Sequence, residues 1–578
     1  MRPFQLGLLI LCAAASFPAR AETYYVDCNS GSDDSRGTAV DAAWKSTAKV
    51  STVPLQAGDA VLFKRGTHCS GGLTLQGSGT ATAPIRIDGY GSGALPVIEA
   101  DPASEAAVRL FDQQGWHISH IETNGGNPYG ILISGTKGSL HHFRLTDVVV
   151  RNVTGTPKSK HSGLVTIWAP AGLTMDDIAI DGVTAYNTTQ WAGIVVSGAS
   201  RDNRIRNVTI RNSIVHDVDG DGIILFSVAG GLIERSAAWL TGLQGRLTIG
   251  TPNGIWTWTC KTCLVRHTEG FWIDSPGVDG GVYDIDWGND HNIVEHSYAH
   301  DAMGYCAAVF AAGKQVTTDS IIRNNLCIDN GRSPKLARRQ GDLYISTWDG
   351  GKLDGVEIYG NTFVWSTPID APLLQLDHAQ FSGARANVFK DNAVISTVPA
   401  MIHSSKDLKL SGNTWWYTGT GVPFWEYDGQ QLPASPGSGE RIGDARIERL
   451  LTTPPMPPVY PDLPAALRRR ANHWLLAMFV DPDSREDRSN AVWLQTALAQ
   501  YGDRNLDGAV LCAQACEDLS HDWHLTGAQV LKGTGSGTWL ISPEGKVVAR
   551  WNGFIPPSEI GFAVRWHVGG WRPPMRRR

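Results

Sequence analysis

Charge is what this chain has little of. Only 18% of its 578 residues are Asp, Glu, Lys or Arg, and the formal net charge is −6. No global field therefore exists to draw in nucleic acid or another polyanion, and any grip on an anionic ligand has to be local. Past residue 21 no apolar run is long enough to span a bilayer, so no membrane insertion by helices is expected. Amphipathic helical periodicity is also scarce before about residue 470. That excludes a TIM barrel or a doubly wound sheet, which need helices between their strands. What is abundant is glycine (64) and tryptophan (21), a composition that favours a turn-rich β protein with aromatic surface. The length calls for two domains.

The opening MRPFQLGLLILCAAASFPARA has an early Arg2, an apolar run from Leu6 to Ala15 and an Ala19-Arg20-Ala21 ending. This predicts a secretory signal peptide (1–21) and an exported protein, periplasmic or secreted. Loss of Cys12 with that peptide leaves eight cysteines, an even number suited to an oxidising compartment. Their grouping suggests Cys28–Cys69, Cys260–Cys263, Cys306–Cys327 and Cys512–Cys516, although spacing leaves connectivity open. Cys260-Lys-Thr-Cys263 has no second CxxC beside it, so a short local disulfide is expected rather than half a zinc site.

The stretch Gly280–Asp301, GGVYDIDWGNDHNIVEHSYAHD, reads as one turn of a repeat: glycine, alternating strand, polar turn, second strand, polar corner. The second apolar residue of that pattern recurs at Ile87, Ile118, Val150, Ile180, Ile210, Ile233, Val265, Val294, Ile322, Ile358, Phe389 and Leu410. A second series, a glycine before an apolar strand, runs through Gly130, Gly163, Gly193, Gly222, Gly254, Gly281, Gly304 and Gly341. Two strand signals per unit of roughly 30 residues, with no helix between, predict a β-solenoid whose coils bury apolar faces by stacking. The Asn, Gly and His that follow suit corners with φ above zero. Residues 22–100 read as a cap and first coil, 101–431 as the solenoid, and 432–464, ending in TTPPMPPVYPDLP, as a Pro-rich linker with few shared contacts across it.

The entry segment YYVDCNSGSDD…AGDAVLFKRGTHCSGG…APIRIDGYGSGALPVIEA resembles the start of secreted right-handed parallel β-helix proteins of the pectate-lyase-like superfamily, as do the coils to about 425. The resemblance implies that fold and a polysaccharide or oligosaccharide partner. It leaves the activity open, because the superfamily includes lyases, hydrolases, epimerases and binding proteins. The polygalacturonase motifs are absent, and the pectate lyase arginine motif is only approached in Arg332-Ser-Pro334-Lys335-Leu-Ala-Arg338-Arg339.

Residues 465–578 change rhythm to β-α-β-β-β-α, and TWLISPEGKVVARWNGF resembles a thioredoxin-like domain of the exported thiol-reductase and peroxiredoxin group. Where that family has its CxxC this chain has Asp481-Pro482-Asp483-Ser484, and Ser536-Gly537 replaces the proline before Thr538. Redox inactivity is expected, since thiol exchange needs an exposed thiolate at a helix start.

Asp284 and Asp286, two apart in one strand, point the same way. Ionised carboxylates cannot face an apolar interior without a large desolvation cost, so this face should be the outer one. With Trp287 on the same strand, Trp256 and Trp258 one coil back, and Asp342 and Tyr344 two coils on, the composition is that of a sugar site. His300 and Asp301 are expected to border it. Asp284 and Asp286 are the candidate acid/base or acid/nucleophile pair of a glycoside hydrolase. The strand rise puts their Cα atoms about 6.5 Å apart. The alternative is a uronate lyase, with Arg338 or Arg339 as base and Lys335 in the clamping loop. Asp217, Asp219 and Asp221 match the start of a calcium loop that lacks its closing glutamate, so calcium is possible but not required. A non-catalytic glycan-binding protein is the third reading, and a monomer is expected in each.

Overall fold

The computed structural model describes residues 21–243, 250–336, 340–366, 369–433, 441–442, 467, 473–514, 516–572 and 574. The expected signal peptide (1–21) and linker (432–464) fall almost entirely outside them. Three fourteen-stranded sheets dominate. Within each, neighbours are roughly every third strand of the chain, and nearly all pair in parallel. That is a parallel β-helix. At its far end Phe424–Tyr427 turns back antiparallel onto Gln430–Pro433.

The apolar repeat maps onto the first sheet. Ile118, Leu145, Ile180, Ile210 and Ile233 occupy successive rungs of one ladder, which continues through Val265, Val294, Ile322, Ile358, Phe389 and Leu410. Val150 is the exception: its rung belongs to Leu145, and Val150 itself lies in the third sheet, on the strand Val149–Val153. The glycine series marks the second sheet, where Gly163 opens a strand and Gly193 and Gly222 sit one residue inside theirs. Two strands per coil were expected and three are found. The third-sheet strands are short, several of only three residues (Glu122–Asn124, Tyr298–His300, Leu326–Ile328), too brief for a period of two to register.

The corner between the first and third sheets turns as the polar residues there predicted. One residue per coil takes a left-handed conformation, including Asp147, Gly182, Asn212, Arg235, His267, His296, Asn324, Gly360, Asp391 and Gly412. The next residue is often a buried asparagine. Asn325, Asn361, Asn392 and Asn413 hydrogen-bond in a column at 3.0 Å per step, satisfying backbone that the bend would leave unpaired.

The C-terminal unit is a five-stranded sheet in the order Ala528–Lys532, Leu506–Cys512, Trp474–Val480, Thr538–Ile541, Val547–Trp551. Helices Arg485–Tyr501 and Pro557–His567 lie between it and the solenoid. Ser484 caps the longer helix by accepting from Asp487 N at 3.2 Å. The expected independence of this unit fails. Ile214, Ala237, Trp239 and Phe271 of the third sheet share one apolar cluster with Val492, Trp493, Ile560 and Ala563. Arg488 pairs with Asp147, and Arg565 with Asp301 and Asp329. The third sheet carries apolar rings outward, and the helices are what bury them.

Cys28–Cys69, Cys306–Cys327 and Cys512–Cys516 are bridged. The expected Cys260–Cys263 bridge is not formed, and both are buried free thiols. Each thiol turns toward the preceding coil, Cys260 donating to Leu225 O at 3.1 Å and Cys263 to Val228 O at 3.6 Å.

Candidate active site

In the strand Tyr283–Ile285, Tyr283 and Ile285 enter the solenoid core. Alternation then turns Asp284 outward, with Asp286 on the same side. Outward is not open solvent here, because loops from neighbouring coils rise around the strand. Lys160, Thr251, Asn253, Val278 and Asp279 line the cleft they form together with Trp256, Trp287, Phe310, Tyr344, Ser346 and Trp348. Its volume is about 370 Å³.

Asn253 organises the floor. Its side chain donates to Asp284 Oδ2 at 3.2 Å, and its backbone N–H donates to Asp221 Oδ1 at 2.6 Å. Its Oδ1 accepts from Tyr305 OH at 2.9 Å and Gly281 N at 3.0 Å. Asp279 stands on the wall at φ +69°, a strained conformation for aspartate. Gln340 holds that backbone, donating to Asp279 O at 2.8 Å and accepting from Asp279 N at 3.3 Å. The Asp279 carboxylate accepts from Thr251 Oγ1, and the Tyr305 hydroxyl, whose single proton it competes for with Asn253 Oδ1, lies 3.3 Å away.

Among the described residues, four carboxylates therefore share one region with a single lysine. Burial pushes the Asp286 carboxyl up to about 8 and that of Asp221 to about 7. Asp279 is raised by burial against its hydroxyl donors. Asp284 is raised by burial and by its neighbours Asp286, Asp279 and Asp221: it is 3% exposed, and its Oδ1 has no partner among the described residues.

Asp284, Asp286, Trp256, Trp287 and Tyr344 are thus brought together. Trp258 lies just beyond, its ring 5.0 Å from that of Trp287. Asp342 is wholly buried and accepts from Cys306 N and Asn330 Nδ2, both at 3.1 Å. That is a structural role beneath the sheet. His300 and Asp301 do not border the cleft. They lie at the third sheet under the C-terminal helices, where His300 contacts Glu269 and Asp301, and Asp301 pairs with Arg332 and Arg565. Lys335 is exposed in a short turn that does not line the cleft, and Arg338 and Arg339 lie outside the described residues.

The calcium reading fails on geometry. Asp217 belongs to the third-sheet strand Ile214–Val218 and contacts His216 at 2.6 Å, whereas Asp221 opens the second-sheet strand Asp221–Phe226. The chain turns a corner between them, so the carboxylates diverge. Among the described residues the grouping with metal-ligand spacing is Asp290, His291 and Asp319, and Lys261 and Arg385 already pair with it.

Sequence reasoning missed Asp279, Lys160, Thr251 and Asn253, which come from loops without periodicity. The one signal was Asp279-Gly280-Gly281, which reads equally well as an ordinary turn.

No family model matches the chain. Over 316 residues, half of the chain, it is 27% identical to a lacto-N-biosidase of Bifidobacterium longum, and that region is 19% of the relative. Over 84 residues, 13% of the chain, it is 33% identical to alpha-1,3-galactosidase A of Akkermansia muciniphila, 14% of that protein. The chain thus spans a fifth or less of the length of the curated relatives it matches. Among solved structures, the GH136 lacto-N-biosidase from Eubacterium ramulus superposes with a TM-score of 0.51 at 21% identity, over 64% of this chain and 68% of that one. This likeness bears on fold alone.

Proposed function

We propose that the protein is a carbohydrate-active enzyme that hydrolyses glycosidic bonds of a neutral oligosaccharide or polysaccharide. The carrying observation is the pair Asp279 and Asp286, both half-buried and both lining one cleft with Trp287, Tyr344 and Trp348. Hydrolysis needs two carboxyl groups in different protonation states at the scissile bond. Asp286, pushed up to about 8, holds its proton at neutral pH and serves as the acid. Asp279 is also raised by burial, but the hydroxyl of Thr251 and the charge of Lys160 oppose that rise, and in this proposal it serves as base or nucleophile. Asp284, the partner expected from the sequence, lies beneath them at 3% exposure. In this proposal it supports the floor of the cleft through Asn253 rather than acting on the sugar.

The charge balance favours a neutral substrate. Uronate elimination needs cations to neutralise a carboxylate, and Lys160 is the one Lys or Arg among the described residues lining this cleft. The relatives' names make lacto-N-type and α-1,3-galactosyl oligosaccharides the first compounds to try. The test incubates purified protein with these and with alginate and pectin. New reducing ends without an unsaturated uronate chromophore support the proposal. That chromophore would replace it with the lyase reading, and binding without products would make the protein a lectin.

The three disulfides fit an extracytoplasmic setting. The C-terminal unit acts in this proposal as a brace without thiol exchange. Its two cysteines are bridged, and Cys512 is buried at the end of a strand.

A further inference from the structure

Lys160 sits in the loop between the strands Val149–Val153 and Gly163–Ala169, several coils before the strand of Asp284. Its side chain reaches along the outside of the second sheet to the cleft. The ammonium lies 4.9 Å from the ring centre of Trp191 and 5.5 Å from that of Trp256. Indole faces hold a cation without cancelling its charge. It is therefore shared by the surrounding carboxylates rather than committed to one of them.

We propose that Lys160 is the common counter-ion of the Asp221, Asp279, Asp284 and Asp286 cluster, a positioning residue that fixes how many of these carboxyls are ionised when substrate binds. This deepens the hydrolase reading and rests on it only where turnover is concerned. The lysine's charge opposes the effect of burial at all four aspartates. Among the described residues, the other titratable groups facing the cluster supply no cation. His161, on the same loop, stacks on Trp168 at 5.1 Å and is shifted toward its neutral form by burial, while Tyr305 is raised by burial and stays protonated. Without Lys160, ionising even one of the four aspartates would leave an uncompensated charge in a desolvated site.

Lys160→Met tests this, because it keeps an unbranched chain against Trp191 and Trp256 and removes only the charge. The first readout needs no substrate: unfolding free energy of both proteins by denaturant between about pH 5 and 9. Near pH 5 burial favours the protonated form of the cluster, so Lys160 has little negative charge to offset, and the variant is expected to match or exceed wild type. As pH rises the folded cluster has to ionise, and the variant should fall progressively below wild type. The second readout is the pH profile of kcat/KM on whichever saccharide is cleaved. Both limbs should move about one unit to higher pH in Lys160→Met, the size expected from loss of one nearby charge, and Lys160→Arg should restore them. A stability difference constant across pH would reduce Lys160 to packing. A raised KM with unmoved pH limbs would make it a substrate contact. Either result overturns the proposal, and the first does so even if no saccharide is cleaved.

Discussion

Trp256 and Asp284 are partners on one rung of the second sheet, and on the next coil Asp284 pairs with Ala308. The carboxyl thus stands between an indole and a methyl group, with one amide donor from Asn253. Such a site favours the neutral acid. Asp284→Asn should therefore fold normally and keep turnover within about tenfold of wild type. Asp279→Asn and Asp286→Asn should each cost roughly 10²–10⁴-fold in kcat, the usual contribution of an acid or base, with little change in affinity. Steady-state kinetics on the three variants decides the assignment. If Asp284→Asn proves as damaging as Asp286→Asn, the pair is Asp284 with Asp286, as the strand spacing first suggested.

The pH dependence follows from Asp286. A general acid acts only while protonated, so activity should decline as pH rises through about 8. Asp286→Asn should abolish that alkaline limb along with most of the rate. A rate still climbing at pH 9 would mean that Asp286 acts as an ionised group.

Much of this was legible beforehand, for identifiable reasons. The first-sheet ladder could be read because Ile, Val and Leu recur inward at one rung per coil. Val150 was a slip of five residues from Leu145, since in that coil both the first and third sheets offer an apolar-x-apolar phrase. The candidate cleft is legible in part through its aspartates and tryptophans, which share strands. Its opposite wall is not, because Asp279 and Lys160 are placed by loops that only stacking brings together. Asp221 was misread for a related reason: Asp217-Val-Asp219-Gly-Asp221 is one phrase in sequence and two faces of a solenoid in space.

Asp342 offers a stability test free of catalysis. Its carboxyl is wholly buried and pushed up to about 7 by that burial, against the bonds from Asn330 and Cys306 N. A raised folded-state pKa means stability is lost as pH climbs from the unfolded value near 4 through about 7. Asn at this position keeps an acceptor for Cys306 N and cannot ionise. Asp342→Asn should be close to neutral at pH 5 and stabilising at pH 9, by on the order of 2–4 kcal/mol. Denaturant melts at the two pH values measure it, and a variant equally destabilised at both would show that the carboxylate is needed as such.

The two free thiols make a chemical prediction. Cys260 and Cys263 are buried in the solenoid and donate to backbone carbonyls, while the other six described cysteines are bridged. Native protein should resist a maleimide, and denatured, unreduced protein should gain two labels by mass spectrometry. No label after denaturation would mean that the CxxC closes into the local disulfide expected from its spacing.

The interface of the two units gives the largest expected effect. Arg565 is 8% exposed and holds Asp301 at 2.5 Å and Asp329 at 2.8 Å, themselves 15% and 14% exposed. Arg332 also reaches Asp301, but from the solvent side at 48% exposure. Removing Arg565 leaves Asp329 without a cation in a buried setting, and a broken buried pair typically costs about 3–5 kcal/mol. Arg565→Ala should lower stability by that order, whereas Arg332→Ala should cost about 1 kcal/mol or less, as exposed pairs do. Deletion from residue 465 onward goes further. It bares Ile214, Trp239 and Phe271 and strips Glu269 of Thr496 and Gln500. The truncated solenoid should therefore be insoluble or melt well below the full chain. Circular dichroism melts of the point variants, with soluble yield for the truncation, check both. A truncation as stable as the full chain would restore the independent module that the proline-rich linker implied.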